Sequence, residues 1–518
     1  MHIGIDVGGT NTDAVLMDGG AVLASVKRPT TEDVTAGIVA ALAALSEEHR
    51  HRPADIEAVA IGTTQFTNAV VEGRDLLPTA VIRLCGPATR ALPPMVDWPE
   101  RLRRLIGGQI FYCAGGHEYD GRPIALLDEA ELSDVVGTIR ERRLLAAAIT
   151  SVFSPVEAEH ETRAAQILER ELPEVAITIS SEVGRVGLLE RENAAILNAC
   201  LRGLASSVVA GFERALSSHG IGAPLYLSQN DGTLMSAAHT RSFPVATFAS
   251  GPTNSMRGAA LLSGLSDCAV IDIGGTTTDL GMLRHGLPRE AAQTIKIGGV
   301  RTNFRMPDVL SFGLGGGSIV RSEQGLSIGP DSVGYRLASD ALVFGGSVLT
   351  ATDLAVAAGM TDLGDPTKVA HLDRGMVNDG IDLIRRQIAD HLDRIKTGPD
   401  PIPVVVVGGG SILLGDDLVG ASKLVRPDDL EVANAIGAAI GQVGGEVERV
   451  VSYERDSRSE ALARAQAEAT ARCVAAGANP DTVNLVDVEE VPLAYLPGHA
   501  VRLRVKVVGD LGDSNAAA

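Results

Sequence analysis

The stretch Asp6-Val7-Gly8-Gly9-Thr10-Asn11-Thr12-Asp13 decides how this chain is read, because it occurs twice. Asp272-Ile273-Gly274-Gly275-Thr276-Thr277-Thr278-Asp279 departs from it only at Val7/Ile273 and Asn11/Thr277. Each copy follows a β-rich run, His2–Ile5 and Cys268–Ile271, and precedes an apolar one, Ala14–Met17 and Leu280–Leu283. Run, Gly-Gly, run predicts two strands joined by a tight turn. Neither copy contains the GxxxxGK[ST] pattern of a strand-to-helix phosphate loop. The copies lie too far apart for a solenoid repeat, and predict two related domains facing each other.

Such a turn can do chemistry as well as reverse the chain. With no side chains at Gly8, Gly9, Gly274 and Gly275, anionic oxygens can reach the backbone N–H groups. Thr10, Thr12, Thr276 and Thr278 add hydroxyl donors. Asp6 and Asp272 close their strands, where a carboxylate can hold Mg²⁺ directly or through water. Asp13 and Asp279 stand where they can orient a water or a transferring phosphoryl group. One copy alone reads equally well as a hairpin with an Asp cap; two copies that keep both Asp residues point to a paired site.

Two further glycine clusters fit around this pair. Val404–Val407 reads as a buried parallel strand, and Gly408, Gly409 and Gly410 after it as a turn on which a flat ring or a ribose can pack. The alternative is a plain tight strand-to-helix turn. Phe312–Ser318 either lines the cleft between the domains or forms a mobile loop. Thr63 and Thr64 end a strand at Ala58–Ile61, with their hydroxyls able to face the cleft. The polar turn Gln229-Asn230-Asp231-Gly232 follows the strand Leu225–Ser228. It is either a substrate contact at a strand's carboxyl end or an ordinary Asx turn.

Composition sets the outer limits. The chain has 518 residues, 45% apolar and 21% charged, which suits a folded chain of several domains. A net charge of −20 argues against nucleic acid or an anionic membrane as partner. It also means that a polyanionic ligand needs backbone amides and a cation to offset repulsion. The five cysteines are scattered, with no CxxC or Cys/His cluster, so zinc and iron–sulfur centres are not expected. No basic leader and no apolar run of about 18 residues stands out, so a cytoplasmic protein is expected. Eleven histidines form no HxH or HExxH, and His117 and His160 read first as structural hydrogen-bonders.

The paired hairpins and the later Val-run turn resemble the actin-like ATPase superfamily. The resemblance implies an α/β fold of two ribonuclease H-like domains around a nucleotide cleft. The hairpins would then be phosphate loops, and Gly408–Ser411 the adenosine loop. Within that superfamily the chain is similar to the hydantoinase A/5-oxoprolinase family. Segments match in order: Ile61–Ala69, Gly115–Glu118, Ser154–Glu161, Ser180–Val183, Glu190–Asn193, Ser228–Met235, Ser250–Pro252 and Gly315–Ile319. They cover residues 1–360 well and the remainder weakly, and Ile61 stands where the family usually has His. The family implies ATP and Mg²⁺ as cofactors and a cyclic amide or carbonyl compound as substrate. Phosphorylation of the substrate carbonyl would precede ring opening. It also implies a second enzyme subunit and an oligomer. Thr63, Thr64, Asn68, Gln229 and Asn230 would lie at the substrate. A small-molecule kinase, an ATP-dependent carboxylase subunit and a regulatory actin-like module are the alternatives.

These anchors divide the chain into an N-terminal domain (1–185), a linking helix (186–219), a second domain (220–450) and a small C-terminal α+β region (451–518) with a frayed tail. Helical spacing predicts helices near Val34–Glu48, 128–145, 158–171, 190–218 and 459–476. Ala433–Val443 reads as a Gly/Ala helix suited to close packing.

Overall fold

The computed structural model describes residues 1–512, apart from 9, 10, 31–33, 87, 108, 292, 293, 323, 324, 495 and 497. β1 (His2–Val7), β2 (Asn11–Asp18) and β3 (Ala21–Pro29) form an antiparallel meander, with Asp6 opposite Asp13 and Asp13 opposite Lys27. β4 (Ala58–Thr63) lies parallel on the other side of β1, and β5 (Leu225–Ser228) lies parallel to β4. The order is β3-β2-β1-β4-β5.

The second copy builds the same thing. β6 (Cys268–Ile273) and β7 (Thr278–Arg284) pair antiparallel, with Asp272 opposite Asp279, and β8 (Val309–Phe312) pairs antiparallel with β7. β9 (Ile402–Val407) and β10 (Ala421–Val425) continue parallel beyond β6. The order β8-β7-β6-β9-β10 repeats the first sheet strand for strand, so the internal sequence repeat marks a repeat of topology. Val404–Val407 are wholly buried, as a parallel strand covered on both faces requires.

Two helices cross between the sheets. Ser250–Ser263 leads into β6, and Ala433–Ala439 follows the second sheet. Their backbones nearly touch: a Cβ on Gly437 would lie 1.8 Å from the Asn254 carbonyl oxygen, and one on Gly258 2.0 Å from that of Ala433. Gly4 on β1 meets the same helix, 2.0 Å from the Ala435 carbonyl oxygen by the same measure. The small residues expected around Ala433–Val443 therefore set the spacing of the two halves.

Sheet membership differs from the sequence expectation in three places. Leu225–Ser228, expected in the second domain, is the fifth strand of the first sheet. The helix Leu188–Ser218 packs against the first half rather than linking the two, and its residues Ala194–Leu201 are fully buried. It is the one helix among the described residues long and apolar enough to cross a membrane. The strands Val443–Ser452, Asn484–Pro492 and Ala500–Gly509 extend the first sheet to nine strands, joining through Leu234 opposite Val443. Leu503, Val505 and Val507 pack there against Ala461, Ala465, Ala469 and Cys473 of the helix Arg458–Ala475. That short strand, Leu234–Ser236, presents a free edge which alternating apolar strands can cover.

Between β4 and β5 the chain also inserts a four-stranded parallel sheet. Its strands run in the order Gln109–Cys113, Thr79–Leu84, Ala146–Ser151, Ala176–Ile179.

Candidate functional site

The two hairpins turn in the same way. Gly8 N–H donates to the Asn11 carbonyl at 3.0 Å, and Gly274 N–H to the Thr277 carbonyl at 2.9 Å. Gly9 and Thr10 lie outside the described residues. In the second turn Gly275, Thr276 and Thr277 are exposed, and their N–H groups donate to no other described residue. The carbonyls, by contrast, are taken: Gly316 N–H donates to the Gly274 oxygen at 3.0 Å and Gly317 N–H to that of Gly275 at 2.7 Å. A turn with its acceptors occupied and its donors open suits an anion. The Gly315–Gly317 loop is thus a belt around the turn, not a mobile segment. A Cβ on Gly315 would lie 2.6 Å from Thr276 N.

Thr12 and Thr278 do different work from that expected. Both are fully buried. The Thr12 hydroxyl lies 3.2 Å from that of Thr30, which donates to the Gly8 carbonyl at 2.9 Å. The Thr278 hydroxyl donates to the Leu314 carbonyl at 2.7 Å. These threonines hold the loops in shape and leave donation to the backbone and to exposed Thr276.

Gly408 and Gly410 press against the second hairpin. At Gly408 (φ 85°) a Cβ would lie 2.3 Å from Asp272 Oδ1, and at Gly410 2.7 Å from the Gly274 carbonyl oxygen. Gly409 faces open space. The turn therefore sits beside the carboxyl end of β6, with one bare surface.

Four carboxylates converge here. Burial pushes the Asp6 carboxyl up to about 7, with Asp13 and Asp272 adding to the rise and Asn434 opposing it. Burial, then Asp279, pushes Asp272 up to about 6, against the Ser255 hydroxyl beside it. Asp13 is raised by burial, against Lys27, and Asp279 by burial, against Ser311. Asp272 acts on both Asp6 and Asp13, so the two hairpins lie within electrostatic reach of each other. Asp272 and Asp279 also line one small pocket of about 10 Å³ with Pro252, Ser255 and Met256.

The donor set suits a hard cation. It is all carboxylate, buried or half-buried, and Asp13 Oδ1 is buried without a partner among the described residues. Among the described residues no group of three or more His, Cys, Asp or Glu side chains is arranged to hold a metal alone. A cation here would complete its shell with ligand oxygens and water, as Mg²⁺ does.

The expected substrate residues divide. Asn230 is buried: its Nδ2 donates to the Val245 carbonyl at 2.9 Å and its Oδ1 accepts from Ala249 N–H at 2.8 Å. Gln229 Nε2 donates to Thr233 Oγ1 at 3.0 Å and to the Leu234 carbonyl at 3.2 Å. The Thr63 hydroxyl accepts from Gln65 N–H, and its backbone is clamped by Ser250 Oγ at 3.2 and 3.1 Å. These three are spent on protein, so the Asx-turn reading describes the 229–232 turn. Thr64 and Asn68 are half-buried and meet each other at 3.4 Å.

Gly315–Ile319 lies at the second hairpin, and the other seven family segments fall into two clusters. Ile61–Ala69, Ser228–Met235 and Ser250–Pro252 form the first, through the bonds just described. Gly115–Glu118, Ser154–Glu161, Ser180–Val183 and Glu190–Asn193 meet at the carboxyl edge of the inserted sheet. There His160 Nδ1 accepts from Gly116 N–H at 3.0 Å, and the His117 and His160 rings lie 4.2 Å apart. Buried Glu161 accepts from Ser151 and Ser181 N–H, and Arg191 donates to Ser180 Oγ at 2.9 Å. Arg83 and Glu192 form a fully buried ion pair beside them.

Sequence reasoning missed Lys27, Asn254, Ser255, Ser311 and Asn434. Lys27 Nζ lies 3.0 Å from Asp13 Oδ2, Asn434 Nδ2 donates to Asp6 Oδ2 at 3.3 Å, and Ser311 Oγ donates to Asp279. Only Lys27 left a signal, being countable from Asp13 across the Gly19-Gly20 turn. The others are brought in from distant parts of the chain.

Two family patterns match this chain: the hydantoinase/oxoprolinase N-terminal region over residues 2–172 and the hydantoinase/oxoprolinase pattern over 191–404. The chain belongs to the hydantoinase/oxoprolinase family. It is 28% identical over 465 residues to caprolactamase subunit alpha of Pseudomonas jessenii, covering 85% of this chain and 65% of that protein. It is 27% identical over 254 residues to the acetophenone carboxylase gamma subunit of Aromatoleum aromaticum, covering 46% and 34%. The chain therefore spans less than two thirds of the length of these curated relatives. Its fold matches the crystal structure of the ATP-dependent caprolactamase from Pseudomonas jessenii with a TM-score of 0.78 at 20% identity, covering 99% of this chain and 88% of that one. The nucleotide-free acetone carboxylase structure matches at 0.68 and 16%, with the same coverage. The family resemblance and a doubled α/β fold are thus both found.

Proposed function

We propose that this chain is the ATP-using component of a cyclic-amide hydrolase of the hydantoinase/oxoprolinase type. One observation carries the reading: two matched Asp-x-Gly-Gly-Thr hairpins on equivalent strands bring their carboxylates within electrostatic reach of each other. Open N–H groups at 275–277 hold the phosphates. Asp6 and Asp272 set the position of Mg²⁺. Gly408–Gly410 gives the nucleoside a side-chain-free wall.

Bound Mg²⁺–ATP would supply an electrophilic phosphoryl group. The protein's part is then to align the amide carbonyl oxygen with it and to shield both from bulk water. Asp13 and Asp279 orient the incoming group, and one of the two takes up a proton. Transfer to the carbonyl oxygen would release ADP and make the attached carbon a better electrophile, so that water adds there, phosphate leaves, and the C–N bond opens with a proton passing to the nitrogen. Thr64 and Asn68, whose side-chain polar groups meet each other and no other described residue, are the residues left to touch substrate. A second subunit completes the enzyme, in keeping with the subunit names of the relatives.

The test is an ATPase assay with a panel of lactams, hydantoins and ketones, following phosphate and ring-opened product. A cyclic amide that raises ATP hydrolysis and yields equal phosphate and opened product supports the reading. A phosphorylated product that accumulates without free phosphate would make the chain a kinase. The likeness to the acetophenone carboxylase gamma subunit favours a second reading, in which a ketone is activated and carboxylated. Turnover that depends on bicarbonate would select it.

A further inference from the structure

Lys27 has no counterpart in the second half. It stands on β3 level with Asp13, and its ammonium donates to Asp13 Oδ2 at 3.0 Å and to the Glu431 carbonyl at 3.2 Å. Asp13 belongs to the first sheet, while Glu431 lies in the turn just before the Ala433–Ala439 helix, after the second sheet. One side chain therefore ties the two walls together. Its charge is also felt at Asp6, Asp13 and Asp272.

The side chain is 39% exposed, so it is not locked into the core. An ammonium has three donors and two are used. Asp13 is correspondingly half-used: Oδ2 is taken by Lys27 and Oδ1 is buried without a partner among the described residues. Asp6, Asp13 and Asp272, the carboxylates that the Lys27 charge reaches, leave this cleft negative, and a triphosphate would deepen the imbalance. Backbone N–H groups carry only partial charge. Lys27 is a full cation already held at these carboxylates.

We propose that Lys27 is a phosphate-binding residue for the terminal phosphate of a nucleoside triphosphate, and that Asp13 is its positioning residue. The trailing carboxylates then have separate tasks: Asp13 aims Lys27, and Asp279, with no cation beside it, accepts the proton. This rests on the cleft being a nucleotide site, and the experiment separates the two claims.

Binding of ATP, ADP and AMP, each with Mg²⁺, is measured by calorimetry on the full chain as wild type, Lys27→Met and Lys27→Arg. Melting temperatures are taken alongside. Lys27→Met is expected to weaken ATP binding by about ten- to a hundredfold, the range for loss of a charged hydrogen bond. AMP affinity should stay within about twofold, because the lost contact is to the terminal phosphate. Lys27→Arg should recover most of the ATP loss. Equal weakening for all three nucleotides with a fallen melting temperature would make Lys27 a structural tie and overturn the proposal. Unchanged ATP binding would overturn it as well. A wild-type chain that binds none of the three defeats the cleft reading itself, and Lys27's role with it.

Discussion

The first hairpin and the second carry almost the same eight residues, yet their trailing carboxylates keep different company. Asp13 faces the Lys27 ammonium, while Asp279 faces the Ser311 hydroxyl. The turns are buttressed differently too: a threonine side chain from its own sheet holds the Gly8 carbonyl, and a glycine belt wraps Gly274 and Gly275. The shared residues fix the shape of a phosphate turn. The neighbours, which are not shared, decide its charge. A duplicated fold can in this way divide labour, with one wall holding the positive charge and the other holding a carboxylate free to take a proton.

The leading carboxylates are where the halves should behave alike, and where the largest effect lies. Asp6→Asn and Asp272→Asn should each lower ATP turnover on the order of a thousandfold, as loss of a central electrostatic group does. The same variants should melt higher than wild type at pH 8. Burial raises Asp6 to about 7 and Asp272 to about 6 from 3.8, so the folded state binds those protons more tightly than the unfolded chain. Stability should therefore fall as pH rises from about 4 to about 7 and level off above that. At pH 8 the asparagine variants should gain about 3 °C or more over wild type, and near pH 4 almost nothing. Equal melting curves across this range would remove the claim that the two Asp residues are buried as costly charges.

The trailing carboxylates are where the halves should part. Asp279→Asn should cost about a hundredfold in turnover, the range for loss of a general base. It should also abolish the acid limb of the rate profile, which a carboxyl raised by burial produces. Asp13→Asn should weaken ATP binding more than turnover and keep that limb. If both variants lose the acid limb to the same degree, the asymmetry between Lys27 and Ser311 has no mechanistic meaning.

What the sequence showed and what it hid follow from range. The hairpins, the Val404–Val407 strand and the close-packing helix after Val432 were legible, because each is written in a few neighbouring residues. Lys27 was legible in principle. Its pairing with Asp13 needs the β2–β3 register, and that register shifts between Leu16 and Met17. Asn434 reaches Asp6 from 428 residues away, and no local pattern announces that. The strands at 443–452, 484–492 and 500–509 alternate visibly, yet alternation does not say which sheet edge they cover. Gln229-Asn230 was ambiguous for another reason: polar residues at a strand's carboxyl end look the same whether they face a ligand or fasten a loop.

Ser311 offers a finer probe of the difference between the walls. Ser311→Ala removes the hydroxyl from Asp279 and should leave the carboxyl more basic and less well aimed. Turnover should fall severalfold, about the worth of one hydrogen bond, with the acid limb moved to higher pH. Restoring the hydroxyl with Ser311→Thr should recover both.

The smallest expected effect on catalysis comes from Asn230. Its side chain joins the strand end at Ser228 to the segment 245–249, which leads into the crossing helix at Ser250. Asn230→Ala should therefore lower stability by about 2 kcal/mol, as loss of a buried, doubly bonded amide does. The KM of any cyclic-amide substrate should stay near wild type. Asn68→Ala should give the converse, little loss of stability and a raised KM, since among the described residues the Asn68 side chain meets only Thr64. The pair separates residues that hold the first wall together from residues that line it. A raised KM for Asn230→Ala at unchanged stability would return the 229–232 turn to the substrate and leave the first wall with more of the site than its hydrogen bonds now suggest.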